Sequence, residues 1–115
     1  MSDKLPAVTQ TDDQLESEKY ISSILSDRIN LCFPYDQLKD AAKSTQVFYK
    51  TDHHWTTLGA YYAYCAVMEQ YGLEPYPLES FTREQVSDSF YGTTYSKGGF
   101  KFIAPDSIEY FHHNE

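Results

Sequence analysis

The sequence predicts an α/β layer architecture in which helices flank a mostly parallel sheet. Three observations lead there. Helical and strand patterns alternate through the first two thirds of the chain. One helix stands out in the middle, with an N-cap at Thr56 and a glycine stop at Gly72. A length of 115 residues with 41% hydrophobic and 17% aromatic content supplies one modest core, not two.

In chain order, TDDQ at 11–14 has the capping-box spacing of Thr and Gln, with acidic residues where the helix dipole favours them. Leu15, Tyr20, Ile21, Ile24 and Leu25 then carry a helix to about Ser26. INLCF at 29–33 is a short apolar run ended by Pro34 and is expected to be a strand. YDQLKDAAK forms about two helical turns, and QVFY at 46–49 returns to strand character. The helix from Thr57 to Tyr71 presents Leu58, Tyr61, Tyr62, Cys65 and Met68 on one face. LEPYPLESF is an extended connector because of its two prolines, and TREQV is expected to add one helical turn. Residues 87–100 read as a Gly-, Ser- and Thr-rich loop, and KFI and IEYF as short strands around a Pro-Asp turn.

A net charge of -8 and a pI near 4.8 rule out nucleic acid as a partner, since binding it needs clustered Lys and Arg. No apolar run approaches the roughly 20 residues that span a bilayer. MSDKLPAVTQ lacks the pattern of a secretory signal. Cys32 and Cys65 lack metal-ligand spacing and read as small apolar residues.

The chemistry lies in YKTDHHWTTLG, residues 49–59. A strand ending at Lys50 or Thr51 would deliver Asp52 to the carboxyl edge of a parallel sheet, where α/β proteins put their ligands. In extended chain Asp52 and His54 point the same way. A carboxylate accepting from Nδ1 fixes the imidazole tautomer and leaves Nε2 to take a proton from a nucleophile. Lying before a helix N-terminus keeps such a histidine neutral. The bland alternative is an Asp that only caps a turn. A metal site would use Asp52, His53 and His54 with His112 and His113, but neighbouring residues rarely aim at one ion, so no metal is expected.

The run Tyr49-Lys50-Thr51-Asp52-His53-His54-Trp55-Thr56, followed by Gly59, Ala60 and Tyr61, resembles the signature of the DHHW protein family. FYGTTYSKGG at 90–99 resembles a downstream segment of the same family, so the likeness spans about residues 29–111. That family is similar to SGNH-hydrolase-like proteins and, more distantly, to the bacterial proteins that O-acetylate alginate. The resemblance implies an SGNH- or flavodoxin-like three-layer sandwich. It also implies a Ser-His-Asp triad in which Asp52 and His54 are the Asp and His, without metal or organic cofactor. In such proteins the serine follows in a further motif that this chain lacks. GTTYS is set aside as a source of it because no apolar strand is expected before it, and Ser96 is held in reserve.

The expectation is therefore a single incomplete domain: an N-terminal helix over 1–28, an α/β core with the motif over 29–72, and a connector, loop and short strands over 73–115. Asp52 and His54 are the candidate catalytic residues. Trp55, Thr93 and Thr94 are candidates for substrate contact, the threonines as donors to an oxyanion. The expected partner is an acylated glycan or small ester at the cell envelope or outside the cell. A sheet lacking its later strands would expose an edge and favour a homodimer. The rival expectation is a non-catalytic glycan- or protein-binding module on the same scaffold, suggested by eleven Tyr and seven Phe.

Overall fold

The computed structural model describes residues 12–99 and 101–113. It divides into two compact units, residues 1–33 and 34–115. In the first, helix α1 runs Gln14–Ile24. Its N-cap is Asp13, whose side chain accepts from Leu15 N at 2.9 Å. The expected cap Thr11 lies outside the described residues. Residues 29–33 follow in irregular conformation. The expected strand is not formed there, because an apolar run becomes a strand only when a second edge receives its backbone bonds.

In the second unit, α2 spans Tyr35–Ala41 and α3 spans Thr57–Gln70. The ends of α3 match their sequence signals. Thr56 accepts from Gly59 N through its hydroxyl, and Gly72 adopts φ 66° just past the last turn. Leu73 N donates to Met68 O and Gly72 N to Glu69 O, both at 2.9 Å, so the last carbonyls are satisfied as in a Schellman stop. The most deeply buried face of α3 is Leu58, Gly59, Ala63 and Ala66. The aromatic stripe expected from periodicity lies half-buried beside it. Small residues win the closest contact because they let backbones approach: a Cβ on Gly59 would lie 2.2 Å from Val47 O.

Strand β1, Phe81–Phe90, pairs antiparallel with β2, Asp106–His113, in a two-stranded sheet. The mostly parallel sheet expected from sequence is thus replaced, among the described residues, by one antiparallel ribbon. TREQV, expected to be helical, lies inside β1. Cross-strand chemistry decides this: Arg83 sits opposite Phe111, 5.2 Å over its ring, and ion-pairs with Glu109 at 2.6 Å. Phe81 packs its ring against Tyr61 of α3 at 5.8 Å, and Thr57 Oγ1 donates to Glu109 O, so helix and ribbon are joined. Between the strands, the segment expected to be a loop forms a short helix α4, Thr93–Gly98, closed by Gly99 at φ 69°. IEYF lies within β2, whereas KFI forms a turn. Cys32 and Cys65 are free thiols, each half-buried.

Alanine normally stabilises an exposed helical site relative to glycine by about 1 kcal/mol. Gly59→Ala is expected instead to destabilise the chain by about 1–3 kcal/mol, because the added methyl meets the Val47 carbonyl. Urea unfolding measures this, and a variant more stable than the parent would contradict the contact.

Candidate functional site: a carboxylate–imidazole turn

The motif turn is closed by its own flanks rather than by a sheet edge. Tyr49 N donates to His54 O at 3.1 Å and Thr56 N to Val47 O at 2.9 Å, with Phe48 and Trp55 forming an isolated antiparallel bridge. QVFY is therefore the outgoing arm of a tight hairpin, not a strand of a parallel sheet.

The Asp106 carboxylate, only 2% exposed, grips this hairpin from the start of β2. Its Oδ1 accepts from Gln46 Nε2 at 2.7 Å and Lys50 N at 3.1 Å. Its Oδ2 accepts from Thr51 N at 2.8 Å and Thr51 Oγ1 at 2.7 Å. Burial pushes this carboxyl up, but the hydrogen bonds from Thr51, Gln46 and Lys50 outweigh it and leave it below the usual carboxylate range. Thr51 is fully buried and relays the grip: its hydroxyl accepts from Gly92 N at 3.2 Å, and its carbonyl accepts from Tyr95 N at 3.0 Å.

Asp52 is the hub of the turn. Oδ2 accepts from Thr93 N at 2.8 Å and Thr93 Oγ1 at 3.1 Å. Oδ1 accepts from His54 N at 3.0 Å and His54 Nδ1 at 2.5 Å. The backbone donors of Thr93 and His54 hold its carboxyl far below the usual range, so it is ionised. An ionised carboxylate only accepts, so His54 Nδ1 carries the proton and the neutral ring has its lone pair at Nε2. Gly92 permits the approach: a Cβ there would lie 2.3 Å from Asp52 Cβ and Oδ2.

Burial divides the site. The Asp52 side chain is 5% exposed, whereas those of His53 and His54 are 65% and 68% exposed. The two rings lie 4.0 Å apart, and His53 Nδ1 is 2.9 Å from Thr93 Oγ1. Donor atoms of Asp52, His53 and His54 all fall within 4.8 Å of one another. The turn thus converges side chains that were expected to diverge. A cleft of about 270 Å³ is lined by residues such as Lys50, Arg83 and Asp106, and not by Asp52, His53 or His54.

Among the other candidates, Trp55 is 45% exposed on the return arm of the hairpin. Thr93, expected as an oxyanion donor, directs both its N–H and its hydroxyl to Asp52. Thr94 is exposed in the first turn of α4. The hydroxyl of Ser96 donates to Gly92 O at 3.1 Å. His112 bonds Glu84 at 3.1 Å and His113 packs on Tyr76 at 4.4 Å, both in the ribbon. GTTYS follows β1, a strand whose residues are mostly polar and exposed. Asp106, Thr51 and Gly92 were missed. Pro105-Asp106 carried the signal of a turn, and nothing in its neighbours marks that aspartate as a buried acceptor.

Fold and site together define an α/β protein bearing an Asp–His pair with a preset tautomer on a buttressed turn. The chain belongs to the DHHW protein family, whose model matches residues 3–110. A DHHW family protein from Eubacterium siraeum, known from its crystal structure, is similar with a TM-score of 0.78 and 28% identity, over 93% of this chain and 36% of that one. The O-acetyltransferase domain of Pseudomonas putida AlgJ is similar in fold, with a TM-score of 0.53 and 20% identity, over 86% of this chain and 37% of that one. The chain therefore spans little more than a third of either solved relative. No curated protein matches the sequence.

Gly92→Ala is expected to destabilise the chain by about 1–3 kcal/mol and to disorder the His54 ring, read by urea unfolding and by the His54 Nδ1–H proton signal. Unchanged values in both would show that Asp52 does not lean on Gly92.

Asp52 and Asp106 also set an acid limit. Their folded carboxyls titrate below the unfolded value of about 3.9, so the unfolded chain binds more protons in that window. The stability they contribute is full above about pH 5 and is lost as pH falls through their lower folded values. Asp106→Asn should therefore be less stable at pH 7 and show a shallower loss between about pH 5 and 2 than the parent. A parallel pair of stability curves would contradict this.

Proposed function

We propose that this turn is the base half of a Ser-His-Asp acyl-transfer centre, which hydrolyses or transfers an acetyl group on a cell-envelope or secreted glycan. His54 Nε2 takes the proton from a hydroxyl nucleophile as the acyl carbon is attacked, and returns it to the leaving oxygen. Asp52 holds the ring and stabilises the imidazolium formed in between. Trp55, beside the pair in sequence, offers an apolar wall to a sugar ring. The observation that carries the reading is the 2.5 Å contact between ionised Asp52 and His54 Nδ1. The fold likeness to an O-acetyltransferase domain supports the reaction class.

The nucleophile in this reading is a serine outside these 115 residues. A second reading rests on α4: one residue after β1 ends, Gly92 caps this helix, and its first residue, Thr93, is anchored on Asp52. Thr94, exposed at the following position in α4, would then supply the hydroxyl. The high exposure of His54 suits a centre completed by further walls, because proton transfer of this kind works best with water excluded.

In a protein extended to carry the nucleophilic serine, with a simple acetyl ester as substrate, Asp52→Asn and His54→Ala are each expected to lower turnover by about a hundredfold or more while leaving the urea transition of the His54 variant near the parent's. Full activity in both variants would refute the triad and leave a binding module. Thr94→Ala separates the two nucleophiles: loss of turnover assigns Thr94, and no change assigns a serine elsewhere.

A further inference from the structure

We propose that Asp52, His53 and His54 form a divalent transition-metal site, zinc the best fit, whose occupation switches His54 from base to ligand. Asp52 Oδ1 lies 2.5 Å from His54 Nδ1 and 3.6 Å from His53 Nδ1. Tetrahedral zinc with bonds of about 2.0–2.1 Å needs its donors about 3.3 Å apart. Both separations are within about 1 Å of that, a shift that rotation of two exposed imidazoles can supply.

The donor set is also chemically apt. Asp52 turns Oδ1 toward both imidazoles. Its second oxygen is already fixed by Thr93 N and Oγ1, which is the outer support that orients a metal-binding carboxylate. The rings of His53 and His54 are tilted by 38° with centroids 4.0 Å apart, and one ligand atom from each ring and from Asp52 falls within 4.8 Å of the others. Three protein ligands leave the fourth position to water.

The same geometry makes metal and base exclusive. Without a metal, His54 holds its proton on Nδ1, between the ring and Asp52 Oδ1. A metal bound there takes the Nδ1 lone pair, so the neutral ring keeps its single proton on Nε2. The nitrogen that would accept a proton from a hydroxyl is then already protonated. No net proton is gained or lost, and no redox step is involved. The switch rests on the acyl-transfer reading of His54, whereas metal binding itself is measured without substrate, so either can fail alone.

The test is calorimetric titration of the full chain with zinc chloride alone, paired with long-range ¹⁵N–¹H spectra of the histidine rings. One zinc per chain is expected, with the His54 proton moving from Nδ1 to Nε2. His53→Ala and His54→Ala should each weaken binding by at least about tenfold. Both side chains are largely exposed, so these variants keep the fold. The double variant His112→Ala, His113→Ala controls for the other histidine pair and should bind as the parent does. Absence of zinc binding, retention of parental affinity in His53→Ala, or loss confined to the His112, His113 variant would overturn the proposal.

Discussion

The grip of the buried Asp106 carboxylate on the hairpin is the constraint from which the rest of the turn follows. A carboxylate that is 2% exposed survives burial only because four donors converge on it, from Gln46, Lys50 and twice from Thr51. Those donors are the backbone and side chains of the segment that must be bent. The charge therefore does the bending: any other path for residues 46–51 would leave it unpaired, at a cost of several kcal/mol. Thr51 passes the constraint on through its hydroxyl and carbonyl to Gly92 and Tyr95, so the start of α4 is set by the same interaction.

Asp52 inherits its position from that arrangement. Its oxygens are divided between two neighbours, one facing Thr93 and the other His54. The division explains why a buried carboxylate serves an exposed ring: desolvation sharpens the carboxylate as an acceptor, while the imidazole stays open to whatever approaches. It also explains the glycine at 92, where any side chain would occupy the space of the Asp52 carboxylate. His53 shares the turn without sharing that restraint: among the described residues, its Nδ1 meets the Thr93 hydroxyl at 2.9 Å and stays 3.6 Å from Asp52 Oδ1.

The antiparallel ribbon shows where periodicity misleads. TREQV has the composition of a helical turn, but Arg83 finds Phe111 and Glu109 across the ladder, and Glu84 finds His112. Those partners lie 26 to 28 residues away. Local propensity, worth a few tenths of a kcal/mol per residue, yields to such pairs. In the same way INLCF and QVFY have strand character, yet the first is not a strand and the second meets its own return arm in an isolated bridge between Phe48 and Trp55.

Local chemistry by itself determined the caps of α3, the helix in α1 and the Asp52–His54 pairing. In each, both partners lie within a few residues, and the chain has few ways to satisfy them other than the observed one. Tertiary structure decided the sheet direction, the burial of small rather than aromatic residues on α3, and the convergence of His53 with its neighbours. It alone assigned Asp106, whose donors are some 55 to 60 residues distant. A buried charge has no local pattern: until the chain closes, the aspartate after Pro105 is indistinguishable from one that merely opens a turn.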